Sequence, residues 1–403
     1  MTDAPATMGP VLLGLPVLFL LFGATLAGVL VWHRRSLEVA LGGLGLILGV
    51  RLGFTHFALA AHVAEEWVQL TNLFGLLVGF SLLADHFERS QLSGFLPRLL
   101  PRGAKGCFAL LAIVWVLSAL LDNIAAAMIG ATVAAGLFRR RVHLGYLAAI
   151  VAAANAGGAG SVLGDTTTTM IWIAGISPLT LLPAYLGAAS ALVVFGTFAS
   201  IQQQRHAPID AAAAIDRRDQ PIDGARLAIV LAALVAMVAA NIVSGRLPGR
   251  AGDHFPFLAA ALWLALLAGA RARPPSWRLL PGATRSALFL LALVLAASLM
   301  PVAALPTPSW QTAFGLGLVS SVFDNIPLTR LALDQGGYDW ALLAYAVGFG
   351  GSILWFGSSA GVAVANLFPE AKSVLKWLRA AWHVPLAFVV GFITQLALGG
   401  WSP

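Results

Sequence analysis

The sequence predicts an all-α polytopic membrane protein made of two inverted-topology repeats, about ten spans plus two re-entrant hairpins, with interrupted helices at the midplane. Three observations predict it. Of the 403 residues, 59% are hydrophobic and 10% charged, with a mean hydropathy of +0.87; soluble domains carry roughly a quarter charged residues. Apolar runs of about 20 residues, each long enough to cross a bilayer, recur along the whole chain. And one short pattern occurs twice. A Ser stands four residues before Asp-Asn-Ile in LSALLDNIAAA (117–127) and again in VSSVFDNIPLT (319–329), each inside an otherwise apolar stretch.

The apolar runs are continuous rather than alternating, which excludes an outer-membrane barrel. The net charge of +7 fits basic residues gathered in cytoplasmic loops. No basic stretch is interleaved with stacking aromatics, so no nucleic-acid partner is expected; the expected partners are membrane lipid and a small ion. The single cysteine, Cys107, forms no intrachain disulfide. The N-terminus has Asp3 and no basic n-region, which argues against a cleaved signal peptide. The first run ends in WHRRS and reads as an uncleaved span with the N-terminus outside.

In chain order, spans are expected at about 10–31, 37–54 and 67–84. The stretch 106–138 is too long for one span and too short for two with a turn. It carries Asp122-Asn123 at its middle, and a re-entrant hairpin fits it. A span over 144–176 and another over 179–201 complete the first repeat, 1–201. The polar segment 202–226 is a linker. The second repeat, 227–403, has spans at 227–245, 255–271 and 286–304, a hairpin at 313–335, a span at 340–363 and a last span at 384–400. Asn325-Ile326-Pro327 marks the second hairpin tip, because an interior Pro removes a backbone hydrogen bond.

Charge placement arbitrates between hairpins and simple spans. With both Asp-Asn segments as hairpins, 20 of the 24 basic residues fall inside, leaving Arg51, Arg246, Arg250 and Arg330. As simple spans they would put Arg139, Arg140 and Arg141, or the segment KSVLKWLR, outside. The two halves then run in the same order with every direction reversed, which is the arrangement of many secondary transporters. The linker is thereby cytoplasmic, and the setting is a bacterial-type inner membrane.

Each hairpin is followed by an interrupted span, NAGGAGSVLGDTTTTMIW (155–172) and GFGGSILWFGSSAGVAVAN (348–366). Gly157-Gly158 aligns with Gly350-Gly351, Gly164 with Gly357, and Asp165-Thr166 with Ser358-Ser359. Glycine pairs permit close helix packing or an unwound loop whose carbonyls line a site. The adjoining hydroxyls and Asp165 favour the unwound loop.

Three acids fall near the centre of apolar segments: Asp122, Asp165 and Asp324. A lone carboxylate at mid-bilayer costs roughly 2.5–3.5 kcal/mol even on a mild scale. A buried, hydrogen-bonded Asp that only pins a hairpin tip is the structural alternative; three of them on paired motifs point to an ion or proton site. Carboxylate, amide and hydroxyl oxygens of Asp122, Asn123, Asn155, Asp165, Thr166 and Thr167 suit a small hard cation. Ser320, Asp324, Asn325, Thr329, Ser358 and Ser359 offer the same in the second half. Softer Cys and His ligands are absent from these motifs. Sodium is expected to bind through Asp122, Asp165 and Asp324. Burial raises a carboxylate's pKa and a nearby cation lowers it, so such a site exchanges protons for cations. No cofactor is expected, and no constellation of an enzyme appears.

Arg330 lies six residues after Asp324. It is expected to snorkel or to pair with an acid, with binding of an anionic substrate as the alternative. LADHFERS (83–90) reads as a polar cap at a span end. PEAKSVLKWLRAAWH (369–383) reads as an amphipathic helix on the membrane surface.

The strings NAGGAGSVLGDTTTTMIW, SSVFDNIPLT and GGSILWFGSSAG resemble the NhaD-type sodium/proton antiporters of the ion transporter superfamily, which also contains arsenite efflux permeases and citrate or dicarboxylate carriers. The resemblance is clearest over 83–177 and 318–366. It implies paired hairpins, interrupted helices, a midplane site and a homodimer. It assigns ion binding to Asp122, Asn123, Asn155, Asp165, Thr166, Asp324, Asn325, Ser358 and Ser359. The chain departs from it in the AAA after the first Asp-Asn-Ile and in Arg330. The expected activity is exchange of sodium or lithium for protons; the alternatives are a sodium-coupled anion carrier and an arsenite permease.

Overall fold

A computed structural model describes residues 10–12, 14–32, 35–55, 57–92, 100–209, 221–244 and 254–403. Among the described residues the regular structure is helical apart from one short antiparallel pair, β1 (Val11–Leu12) and β2 (Leu15–Pro16). Asp3, residues 210–220 of the linker 202–226, and Arg34, Arg98, Arg217, Arg218, Arg246 and Arg250 of the charge count lie outside the described residues.

The first expected span, 10–31, starts later than its apolar composition suggests. Gly14, at φ +79, turns the chain between β1 and β2, and Pro16 holds an extended conformation. Helix α1 (Val17–Val31) begins only after it. Then follow α2 (Ser36–Phe54), α3 (Leu59–Arg89), α4 (Ala104–Ser118), α5 (Asn123–Leu137), α6 (Leu144–Gly158), α7 (Thr166–Ile173) and α8 (Ala184–His206). Beyond the linker come α9 (Gly224–Ser244), α10 (Phe257–Gly269), α11 (Leu280–Ser298), α12 (Trp310–Ser320), α13 (Asn325–Gln335), α14 (Trp340–Gly350), α15 (Ser359–Leu367), α16 (Val374–Ala380) and α17 (His383–Gly399). Among the described residues, five helical segments are long and apolar enough to cross a membrane alone: Ser36–Phe54, Leu59–Arg89, Pro178–His206, Gly224–Ser244 and Trp277–Ser298.

Helix α3 starts at Leu59 rather than near 67, and so takes Glu65 and Glu66 into a helix. Glu66 is accommodated because it pairs with Arg330, and Glu65 is exposed. His86, expected in a polar cap, is fully buried and takes a hydrogen-bond contact of 3.1 Å from Arg226. In the amphipathic segment the α-helix is confined to α16. Its Trp377 is buried and donates its indole N–H to the Ile353 carbonyl, whereas Leu375 and Leu378 are exposed. A 61° bend separates α16 from α17.

The chain forms two compact units, each drawing on both halves of the sequence. Unit 1 comprises Met1–Leu83, Ala228–Thr307 and Ile326–Gly336. Within it α1 packs on α2 and α2 on α11. Gly75 and Gly79 of α3 form a small-xxx-small face against Ala259 and Leu262 of α10, which lets the two backbones approach closely. Asn72 accepts from the Ala259 N–H, and Trp263 donates to the Gly75 carbonyl.

Unit 2 comprises Ala84–Leu227, Pro308–Asn325 and Gly337–Pro403. Its core is α6 and α14, which are buried on every side from Gly145 to Gly158 and from Ala341 to Gly350. A helix that is apolar all round belongs in such a place. Helix α4 packs on α6, α12 on α14, α5 on α15 and α8 on α17.

Candidate functional site

Four helices of unit 2 are broken or joined at corresponding places. Helices α4 and α12 stop at Ser118 and Ser320, and five residues later Asn123 and Asn325 start the next helices. Ser118 donates to the Ala154 carbonyl, and Ser320 to the Val347 carbonyl at 2.7 Å. Helices α6 and α14 stop at Gly158 and Gly350, and helix resumes at Thr166 and Ser359.

The aligned glycines have a packing reason as well as an unwinding one. A Cβ on Gly157 would collide with the Trp115 carbonyl oxygen, and one on Gly350 with that of Gly317. Gly157 and Gly350 lie inside helix, so close approach, not unwinding, demands glycine there. Gly164 and Gly357 lie in the breaks, against the carbonyls of Ser118 and Ser321.

Asp165 closes the first break as the residue before α7, and it is 1% exposed. Its Oδ1 accepts from the Asn123 amide at 3.0 Å. The Asn325 amide reaches both carboxylate oxygens, at 3.2 and 3.1 Å. Each Asp-Asn motif therefore sends its Asn, the first residue of a helix, to the same carboxylate. The partial positive charge of a helix N-terminus favours an anion nearby, which helps a buried carboxylate to exist in a charged form. Thr166 adds a longer contact at 3.4 Å.

Asn155 sits in the last turn of α6 and is fully buried. Its Oδ1 accepts from Asn123 at 3.1 Å. Its amide donates to Ser352 at 2.9 Å and to Ser358 at 3.1 Å, both beside the second break. Asn123, Asn155, Asp165, Asn325, Ser352 and Ser358 thus form one continuous buried polar network. Such a network is costly unless satisfied.

The four threonines divide the labour. Thr168 and Thr169 donate to the Asp165 carbonyl and to the carbonyls of Ser161 and Val162, which stitches the break onto α7. Thr166 faces the carboxylate. The Thr167 hydroxyl is buried with no partner among the described residues.

The remaining expected residues are placed differently. Asp122 is half-buried and caps α5, accepting from the N–H groups of Ile124 at 2.8 Å and Ala125 at 3.4 Å. Asp324 is half-buried and accepts from Ser359 at 3.2 Å. No group of three His, Cys, Asp or Glu side chains able to hold a metal ion occurs among the described residues. Thr329 is buried in α13 and belongs to unit 1. Arg330, also in unit 1, pairs with Glu66 and Asp334. Ser352 and the stitching role of Thr168 and Thr169 were missed in the sequence. Ser352 directly follows Gly350-Gly351, a position that could have drawn attention to it.

No family model matches the chain. It is 28% identical over 394 residues to sodium/proton antiporter 1 of Arabidopsis thaliana, covering 86% of this chain and 66% of that protein. It is 28% identical over 332 residues to sodium/proton antiporter 2 of the same plant, covering 70% and 74%. Over 95 residues it is 34% identical to the Na(+)/H(+) antiporter NhaD of Halomonas elongata, covering 23% and 19%. The chain thus spans just under two thirds of the first plant relative. These relatives are transporters, and with the long apolar helices they mark the chain as a multi-pass membrane protein.

Proposed function

We propose that this chain, a relative of the NhaD-type sodium/proton antiporters, exchanges sodium or lithium for protons across a membrane. The observation that carries the reading is Asp165, a 1% exposed carboxylate held by the Asn residues of both Asp-Asn motifs. A proton and a monovalent cation each neutralise one negative charge, so they compete for this carboxylate. Asn155 and Thr166, with the unpartnered hydroxyl of Thr167, supply further oxygens for a dehydrated cation, of the hard type that sodium prefers. Exposing the carboxylate to one side and then the other couples the two movements.

The reading carries its architecture with it: inverted repeats over 1–201 and 227–403, about ten spans and two re-entrant hairpins at 106–138 and 313–335. The matching helix breaks at 119–122 and 321–324, and at 159–165 and 351–358, support it. It also carries an inner-membrane location with the N-terminus outside, a cytoplasmic linker and a homodimer. The anion-carrier alternative needs a cation open to substrate, and the guanidinium of Arg330 is engaged by Glu66 and Asp334.

Purified protein in liposomes with an internal pH dye tests the proposal. After a proton gradient is imposed, sodium or lithium salts are expected to dissipate it, while potassium and choline salts are not. No response to any cation would refute cation/proton exchange. Sodium-dependent uptake of labelled succinate or citrate would replace it with the anion carrier.

A further inference from the structure

Helix α16 has three faces rather than two. Trp377 and, just past its end, Ala381 are buried. Lys376 and Arg379, three residues apart, are neighbours on one outer side. Leu375 and Leu378, also three apart, are neighbours on another. All four are exposed. Lys372 ends the 3-10 turn Pro369–Lys372 just before the helix, and exposed Trp382 follows it. The 61° bend to α17 turns α16 well away from the direction of that apolar helix. A helix that shows cations and large apolar side chains side by side lies in a membrane interface, apolar side toward the acyl chains and cations at the headgroups.

The fold of unit 2 brings a second basic segment to the same place. Helix α5 is followed by Arg139, Arg140 and Arg141, all exposed. Arg140 Nη2 donates to the Leu367 carbonyl at 3.4 Å, and the guanidinium stands 5.8 Å from the centre of the Phe368 ring. Arg140 is thereby beside the 3-10 turn that carries Lys372. Consecutive side chains of α8 tie the two segments together from behind. Gln203 donates to the Arg141 carbonyl at 3.2 Å, and Gln202 to the Ala380 carbonyl at 3.1 Å. Residues 139–141 and 369–382 hold six basic residues and one acid, Glu370. Among the described residues, no ion pair engages Arg140, Arg141, Lys372, Lys376 or Arg379. Arg139 and Arg140 have φ of +48 and +60, a left-handed backbone that glycine adopts with less strain. The turn carries guanidinium groups where backbone ease alone would put glycine.

We propose that the arginine turn and the outer faces of α16 form a binding surface for anionic phospholipid. Arg140, Arg141, Lys372, Lys376 and Arg379 take the phosphodiester headgroups, and Leu375 and Leu378 enter the acyl boundary. Guanidinium forks suit phosphate oxygens, and ammonium groups serve as point charges beside them. The inference goes beyond the exchange reading and needs only that the chain lie in a membrane. The charged part of the attraction selects anionic lipid and is screened by salt; the apolar part is shared by any lipid.

The test uses the full chain in detergent micelles, titrated with phosphatidylglycerol or with phosphatidylcholine of the same acyl chains. Native mass spectrometry counts the bound lipid. The wild type is expected to bind phosphatidylglycerol more tightly, with a preference that shrinks as salt rises. Each cation near an anionic lipid surface is worth about fivefold in affinity. Lys372→Gln, Lys376→Gln and Arg379→Gln together are therefore expected to weaken phosphatidylglycerol binding about 10- to 100-fold, leaving phosphatidylcholine binding within about twofold of the wild type. Arg140→Gly with Arg141→Gln is expected to weaken it about 10-fold without lowering the melting temperature, because glycine relieves the left-handed turn. The control variant Arg271→Gln, Arg273→Gln and Arg278→Gln, with the same change of charge in another exposed segment, is expected to bind as the wild type does. Equal affinity of the wild type for the two lipids, or an equal loss in the control variant, would overturn the inference. Displacement of phosphatidylglycerol by an equal concentration of inorganic phosphate would overturn the lipid assignment. A triple variant that keeps its lipid but falls from dimer to monomer would assign the surface to a second copy of the chain instead. If the triple variant does not fold, Lys376→Gln with Arg379→Gln takes its place, and unchanged phosphatidylglycerol binding in that pair overturns the inference.

Discussion

Asn325→Ala is the sharpest probe of how the second half of the chain serves the first. The substitution removes one amide whose Nδ2 lies 3.2 and 3.1 Å from the two oxygens of Asp165. A hydrogen bond to a charged group contributes about 1.5–3 kcal/mol. The two contacts share one nitrogen, so they count as little more than one strong bond, about 2–3 kcal/mol. At 1.4 kcal/mol per factor of ten, sodium half-saturation should rise about 30- to 150-fold. The small cavity left by the amide adds a modest loss of stability, which a thermal melt in detergent separates from the effect on transport. The assay is sodium-driven proton movement in liposomes, titrated over sodium concentration. A folded Asn325→Ala protein with half-saturation within about twofold of the wild type would refute the shared-carboxylate geometry.

Three further predictions follow from single contacts. Asp122→Asn should keep both exchange and stability, because Asn caps a helix as well as Asp does, while Asp122→Ala should lose about 1 kcal/mol of stability; lost exchange in a folded Asp122→Asn protein would make Asp122 an ion ligand instead. Gly157→Ala places a Cβ on the Trp115 carbonyl oxygen and should lower stability by about 1–3 kcal/mol, read as a lower melting temperature; an unchanged melt would contradict the close approach of α4 to α6. Thr168→Val removes a hydroxyl that bridges the Ser161 and Asp165 carbonyls and should loosen the break, seen as faster backbone hydrogen exchange over 159–166, whereas unaltered exchange there would remove the stitching role.

The places where helices break were legible because the residues that break them are local signals. Asn325-Ile326-Pro327 announced a helix start, and the glycines announced the breaks near 158 and 350. The convergence on Asp165 was half legible. The sequence shows three deep acids and treats them alike, yet the fold buries one and uses another as a cap. Asp122 could have been read as a cap, since it directly precedes a helix-compatible run. What sets Asp165 apart is the arrival of Asn123 and Asn325 from positions 42 and 160 residues away, which no local pattern records. The same holds for Arg330. Its neighbour Asp334 is four residues on and legible as a helical pair, but Glu66 is 264 residues distant. The late start of α1 was legible in Pro10, Gly14 and Pro16, and was masked by the apolar composition around them.

If the chain exchanges sodium for protons as proposed, Asp165 carries the exchanged ions. The most direct measurement compares the wild-type protein with Asp165→Asn in liposomes, following proton movement on addition of sodium. Asparagine preserves the shape and can still hydrogen-bond, but it neither binds a proton in this range nor offers a charge to sodium. Sodium-dependent proton movement is expected in the wild type and none in Asp165→Asn, with both proteins melting as folded species. Undiminished exchange in Asp165→Asn would contradict that role of Asp165.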